Sequence, residues 1–290
     1  MNALPRIGRS AGKDASAPAW GRGEWLPPQI TLRLSCECSN AYASWPRLGP
    51  DGFFHFVWVW RESPDCSSNH TLSYARTRDF IHWETSRGKK MPLPITLMKS
   101  EVIDPAKVKE GLINCTFNFG FDDSKRLVVV YHRYDSKGNS QIYAERPSRW
   151  GGWKISQISD WKFRRDFSGQ GSIPAIIHMG EPELQPNGTF IVSYTMPFGP
   201  GSGRLRLDAR TLRPKGVLPP AAGLLPEPLN QLVLQYPGVA VRTRVSNYEG
   251  RTWVLRWESL PANRDVARAE APPPGELHVC EVMPGTEQAK

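Results

Sequence analysis

The chain has 290 residues, 27 of them Pro and 25 Gly, and a formal net charge of +9. That length suits one large all-β domain or two smaller ones, and the dense Pro and Gly punctuation excludes a bundle of long helices. The positive charge admits an anionic partner, but Lys and Arg are scattered, with no zinc-finger spacing of the DNA-reading kind, RNA-recognition string or basic helix, so nucleic acid is not expected as that partner.

Residues 1–35 read as a disordered or atypical leader ahead of a domain over 36–290. Up to about residue 28 they are rich in Gly, Ala, Ser, Pro and Arg and carry no periodicity. No apolar run follows Arg6, Arg9 and Lys13, so no signal peptide is read; no stretch is long enough to cross a bilayer, and as written the chain stays in the cytosol. Gln29–Cys38 alternates like a strand and ends in Cys36-x-Cys38, read as two strand-end cysteines in preference to a redox or metal pair. Five Cys in so long a chain argue against a disulfide framework.

Phe53–Trp60 is an apolar, aromatic run of strand length, expected to be buried on both faces. Arg61–Asn69 is turn chemistry, and His70–Arg76 is the returning strand. Thr77-Arg78-Asp79-Phe80-Ile81-His82-Trp83 then spaces an Asp to accept backbone N–H groups and a Trp to close the core, in the manner of a degenerate Asp-box.

A second blade is expected over about 102–160, with strands at Leu112–Phe121, Arg126–Asp135, Gln141–Arg146 and from Gly152-Trp153-Lys154. A third runs over about 171–214, with Thr189–Met196 and Arg204–Ala209 as partners. A fourth takes Gln231–Tyr236, Val239–Ser246, Arg251–Trp257 and Glu276–Val282. Four strands in some 45 residues is one propeller blade, so the fold expected is an all-β, partial β-propeller of about four recognisable four-stranded blades. An open arc exposes strand edges, and self-association through them is expected.

The strings GPDGFFHFVWVWRESPDCSSNHTLSYARTRDFIHWE, YHRYDSKGNSQIYAER, WKFRRDFSGQGSI and VLRWESLPANRD resemble, in that order, the C-terminal part of the BNR-repeat propeller proteins, the sialidase-superfamily group that includes ulvan lyases and rhamnose-glucuronate lyases. The resemblance implies a seven-bladed parent fold, secretion or a periplasmic site, and β-elimination on uronate-containing anionic polysaccharide. It also implies a paired-histidine signature, a Tyr and an Arg on earlier blades, for which this chain has no counterpart. Of the catalytic set only Tyr42, in Asn40-Ala41-Tyr42, resembles a family active-site residue; a buried aromatic packed on the Trp45-Pro46 turn is an equally good reading of it. The alternative to a lyase is a catalytically inactive, truncated propeller or a sugar-binding module.

By the family's loop arrangement Arg61, Asn69 and Tyr134 fall near one rim, Arg133 just inside it, and Arg164, Arg165 and Gln170 on a loop entering the next blade. Arginine suits a carboxylate or sulfate because its fork donates two parallel hydrogen bonds. Cys66 and His70 share one loop, and Cys115 and His132 fall opposite each other if their hairpin pairs about Asp123-Ser124, so these four could hold a structural zinc. His55 is a weaker substitute and reads as core, and His82, His178 and His278 show no partner pattern. No Gly-x-Ser-x-Gly, phosphate-loop or dinucleotide string is present.

Overall fold

The computed structural model describes residues 39–282 apart from 115, 174–176, 197–198, 222–226 and 249–250, with backbone alone at 227–228, 247–248 and four short strands before residue 39. Those four are β1 (Asp14–Ala17), β2 (Trp20–Gly21), β3 (Glu24–Trp25) and β4 (Gln29–Arg33); β1 pairs with β4 and β2 with β3. Cys36 and Cys38 lie outside the described residues.

The first blade-like sheet has the order β10-β9-β8-β7-β5, that is Lys90–Met91, Trp83–Glu84, Asn69–Thr77, Phe54–Arg61 and Asn40–Ala43; β6 (Arg47–Leu48) also pairs with β7, and β11 (Glu101–Asp104) with β8. The expectation for β7 holds on both faces. Phe56, Trp58 and Trp60 point into a cluster with Ala75, Trp83, Met91 and Ile95. Val57 and Val59 point the other way, with Leu72 and Tyr74, against the second sheet's Phe119, Val129, Tyr131 and Tyr143. A strand with period-2 side chains and two covered faces reads as a near-continuous apolar run, which is why little polar alternation marks it.

The Asp79 turn has the geometry its spacing predicts. Asp79 Oδ1 accepts from the N–H of Ile81 at 2.9 Å and of His82 at 2.7 Å, while Trp83 is buried. Burial alone would raise the carboxyl, but the His82 ring and these N–H groups hold it down at about 2.

The second sheet is β12-β13-β14-β15: Asn118–Phe121, Leu127–Tyr134, Ser140–Pro147 and Trp153–Gln157. Its first strand is shorter than expected. Residues 108–111 turn instead, with Gly111, at φ +79°, against the Tyr134 ring, and Thr116 Oγ1 donates to Ile113 O. Glu101–Asp104, at the start of the span expected for this blade, pairs with the first sheet. The third sheet runs β16 (His178–Met179), β18 (Thr189–Met196), β19 (Gly201–Asp208) and β20 (Pro214–Leu218), with β17 (Glu183–Leu184) also on β18.

Residues 1–170 with 175–220 make one compact unit and residues 171–174 with 221–290 a second. The second unit contains β21 (Ala240–Tyr248), β22 (Arg251–Ser259) and β23 (His278–Val282). Gln231–Tyr236 is not a strand there. The N–H groups of Val233 and Leu234 donate to the Glu258 carboxylate at 2.8 and 2.7 Å, which replaces ladder bonds for that segment. The chain is therefore an all-β, partial β-propeller with four blade-like antiparallel sheets, and no described strand joins one sheet to another. No described helix is long and apolar enough to cross a membrane.

Candidate functional site: a loop rim on the first unit

Three connections meet at one end of the first unit. The loop after β7 turns through a short 3-10 segment, Cys66–Ser68, capped by Asp65, whose Oδ1 accepts from Ser67 N at 2.8 Å. The same carboxylate oxygen accepts from Gly169 N at 2.8 Å, and Cys66 N donates to Gly169 O at 2.9 Å. Lys109 N donates to Ser67 O, and Tyr134 N to Glu110 O. Backbone bonds of this kind set the loops against one another, and Asp65 is held below its ordinary range by the N–H groups of Ser67 and Gly169.

Most of the predicted anion-reading residues stand on this rim. Arg61 ends β7 opposite Asn40, its guanidinium donates to the carbonyls of Ser63 and Pro64, and it sits over the half-buried Tyr42 ring at 5.5 Å. Tyr134 closes β13; its hydroxyl donates to Arg165 O at 2.7 Å and Arg164 covers its ring at 3.9 Å. Burial raises the Tyr134 hydroxyl to about 12. Arg164 is exposed, 2.6 Å from Asp166 and 2.9 Å from Gly138 O. Arg165 N donates to Ser140 Oγ, and Gln170 lies exposed one residue past Gly169. Arg133 is half-buried behind the rim, 2.6 Å from Asp104 and over the Tyr143 ring; burial would lower it, but Asp104 raises it above its ordinary value. Asn69 is fully buried and donates to Cys66 O at 2.6 Å, so its side chain builds the turn.

Of the predicted metal ligands, Cys66, His70 and His132 are buried. Cys66 is a buried free thiol, and Cys115 lies outside the described residues. Nε2 of both His70 and His132 is buried without a hydrogen-bond partner; the His70 atom is 3.8 Å from Glu62. His132 is neutral, pushed down to about 4 by burial although its ring also bonds the Gly111 backbone. The β12–β13 register sets Phe119 opposite Val129, one residue from the pairing that would face Cys115 with His132. Among the described residues no group of three or more His, Cys, Asp or Glu gathers as a metal site. His55, by contrast, is fully engaged in the core, bonded to Asp51 at 2.9 Å and to the Tyr74 hydroxyl at 2.7 Å.

Sequence reasoning missed Asp65, although Asp-x-Ser before a turn is an Asx signal. It also missed Asp104, Tyr131 and Glu145, a buried polar group beside Arg133.

The BNR repeat-containing family matches residues 13–161, just over half of the chain. The chain belongs to that family. No curated protein matches this BNR-repeat chain. Among solved structures it is similar to an ulvan lyase, a PL25 polysaccharide lyase, with a TM-score of 0.47, 11% identity and 86% of this chain covered. The chain spans 59% of that protein's length, and the same figures hold for the lyase bound to -[GlcA(1-4)Rha3S]-. The native arabinanase of Bacillus subtilis gives a TM-score of 0.36 at 10% identity, with 87% of this chain and 89% of that one covered. A GH43_1 enzyme of Xanthomonas citri complexed with xylotriose gives 0.36 at 9%, covering 85% and 73%.

Proposed function

We propose that this BNR-repeat chain is a carbohydrate-active propeller whose rim takes a uronate-containing anionic polysaccharide and acts on it as a lyase. The observation that carries the reading is the grouping of Arg61, Arg164 and Arg165 on hydrogen-bonded loops beside Tyr42 and Tyr134. Aromatic faces suit sugar rings and guanidinium forks suit carboxylates. Arg164 is already paired with Asp166, but that pair is exposed, worth about 0–1 kcal/mol, and a sugar carboxylate can displace it.

The reaction would be β-elimination. Arginine neutralises the uronate carboxylate, a base takes the C5 proton, the C4–O bond breaks as C4=C5 forms, and an acid protonates the leaving oxygen. In this reading Tyr42 exchanges one of these protons and a second group is needed for the other. A binding module without catalysis is the second reading, favoured because the imidazoles of His70 and His132 are buried and are not presented to a sugar at the rim.

Titration with a glucuronate polysaccharide is expected to give binding that weakens with added salt, and Arg61→Ala or Arg164→Ala should weaken it about tenfold, roughly 1.4 kcal/mol. Equal binding of neutral glycan, or variants indistinguishable from wild type, would remove the rim from the account.

Cys66, His70, Cys115 and His132 are proposed to hold a structural zinc, supported by the two orphaned Nε2 atoms and by the His132 ring's second bond to the Gly111 backbone, the outer contact a ligating imidazole uses. Zinc there would cross-link the first two sheets. Elemental analysis of the purified protein should then find close to one zinc per chain, and a strong chelator should lower the melting temperature. Metal-free protein with an unchanged transition would rule the site out.

A further inference from the structure

Two carboxyl groups from different sheets meet one phenol in the core of the first unit. Asp104 ends β11 of the first sheet, while Tyr131 and Glu145 lie on β13 and β14 of the second; all three are buried, Glu145 completely. The Tyr131 hydroxyl is hydrogen-bonded to Asp104 Oδ2 and to Glu145 Oε1 at once. A phenol has one proton to give, and an ionised carboxylate has none. Both contacts are satisfied only if one carboxyl is itself a donor.

Arg133 decides which one. Its Nε lies 2.6 Å from Asp104 Oδ2, so Asp104 is the ionised partner. Glu145 makes no ion pair among the described residues, and its second oxygen, Oε2, is buried without a hydrogen bond. An orphaned oxygen costs far less on a neutral acid than on an anion. We propose that Glu145 is a carboxylic acid at neutral pH, and that its proton closes a clasp, Glu145 to Tyr131 to Asp104, which joins the first two sheets and leaves Asp104 free to orient Arg133.

The titratable and charged groups facing Glu145 are Tyr131, Asp104 and Arg133, and Tyr143 stacks on Tyr131 at 5.8 Å. Burial raises Glu145 most, the Tyr131 bond opposes it, Asp104 raises it further and Arg133 opposes, leaving it at about 8. An unfolded glutamate loses its proton near about 4.3. Between that value and about 8 the folded chain binds the extra proton, so this group's contribution to stability falls as pH rises, about tenfold in the folding constant per pH unit, and levels off above.

Glu145→Gln keeps an N–H donor for Tyr131 and has no proton to lose. Denaturant unfolding of both proteins from about pH 5 to about pH 9 should show wild type losing stability relative to the variant across the window. Carbon-13 NMR of wild-type carboxyls should show one glutamate titrating far above the others, and this stands alone if the variant does not fold. Parallel pH profiles, or glutamates that all titrate in the ordinary range, overturn the proposal. Neither measurement uses a sugar, so the clasp is judged separately from the rim.

Discussion

Trp60→Ala is expected to lower the unfolding free energy by about 3–5 kcal/mol, the usual cost of emptying a large buried aromatic site. Trp60 is fully buried on β7, stacks edge-on with Trp58 at 6.1 Å, and donates its indole N–H to Ser73 Oγ at 3.0 Å. Trp58, equally buried, has an indole nitrogen with no hydrogen-bond partner. Trp58→Phe removes that orphan together with some volume, and should cost less than half as much as Trp60→Ala. Denaturant titration of both variants checks the pair; a Trp60→Ala loss under about 1 kcal/mol would mean that the aromatic stack is not the core of the first sheet.

Asp122→Ala should be comparably damaging, about 3–5 kcal/mol, because it strands a buried guanidinium. Asp122 is buried, and its Oδ2 lies 3.3 Å from Arg146 Nη1 and 2.8 Å from Arg126 Nη2. Its Oδ1 accepts from Ser124 N and Arg126 N, so the same side chain shapes the β12–β13 turn. Arg146, itself buried, also donates to Ala209 O beyond β19 of the third sheet. Asp122→Asn keeps an acceptor for the turn and should fall between wild type and Ala. Adding Arg146→Met to Asp122→Asn should recover part of the loss, since it removes the uncompensated charge. No recovery in the double variant would show that the turn, and not the buried charge, carries the effect.

Much of the fold was legible because its signals are local. The Phe53–Trp60 run and the Asp79 spacing each state their structure within ten residues, and the observed strands follow them. Leu112–Phe121 misled in its first part, where Leu112 and Ile113 reach the core without a strand. Gln231–Tyr236 misled for another reason, since Glu258 supplies its backbone acceptors from a distance no local pattern reports.

The candidate rim was legible in part. Arg61, Tyr134, Arg164 and Arg165 sit at strand ends and loops, where charge and aromaticity stand out in the sequence. Asp104 and Glu145 did not stand out, because an acid buried against a tyrosine carries the same letter as one in water, and β14 is buried on both faces. Nor does a local pattern reveal that Asn69, amid turn residues, is wholly enclosed.

The most direct test of the account is the rise in ultraviolet absorbance that an unsaturated uronate product gives when the protein is incubated with ulvan-like and rhamnose-glucuronate polysaccharides. The proposed lyase predicts a steady rise with wild type that Tyr42→Phe abolishes while the variant still binds the polymer. A flat trace from folded, glycan-binding protein, or a rise that survives Tyr42→Phe, would contradict it.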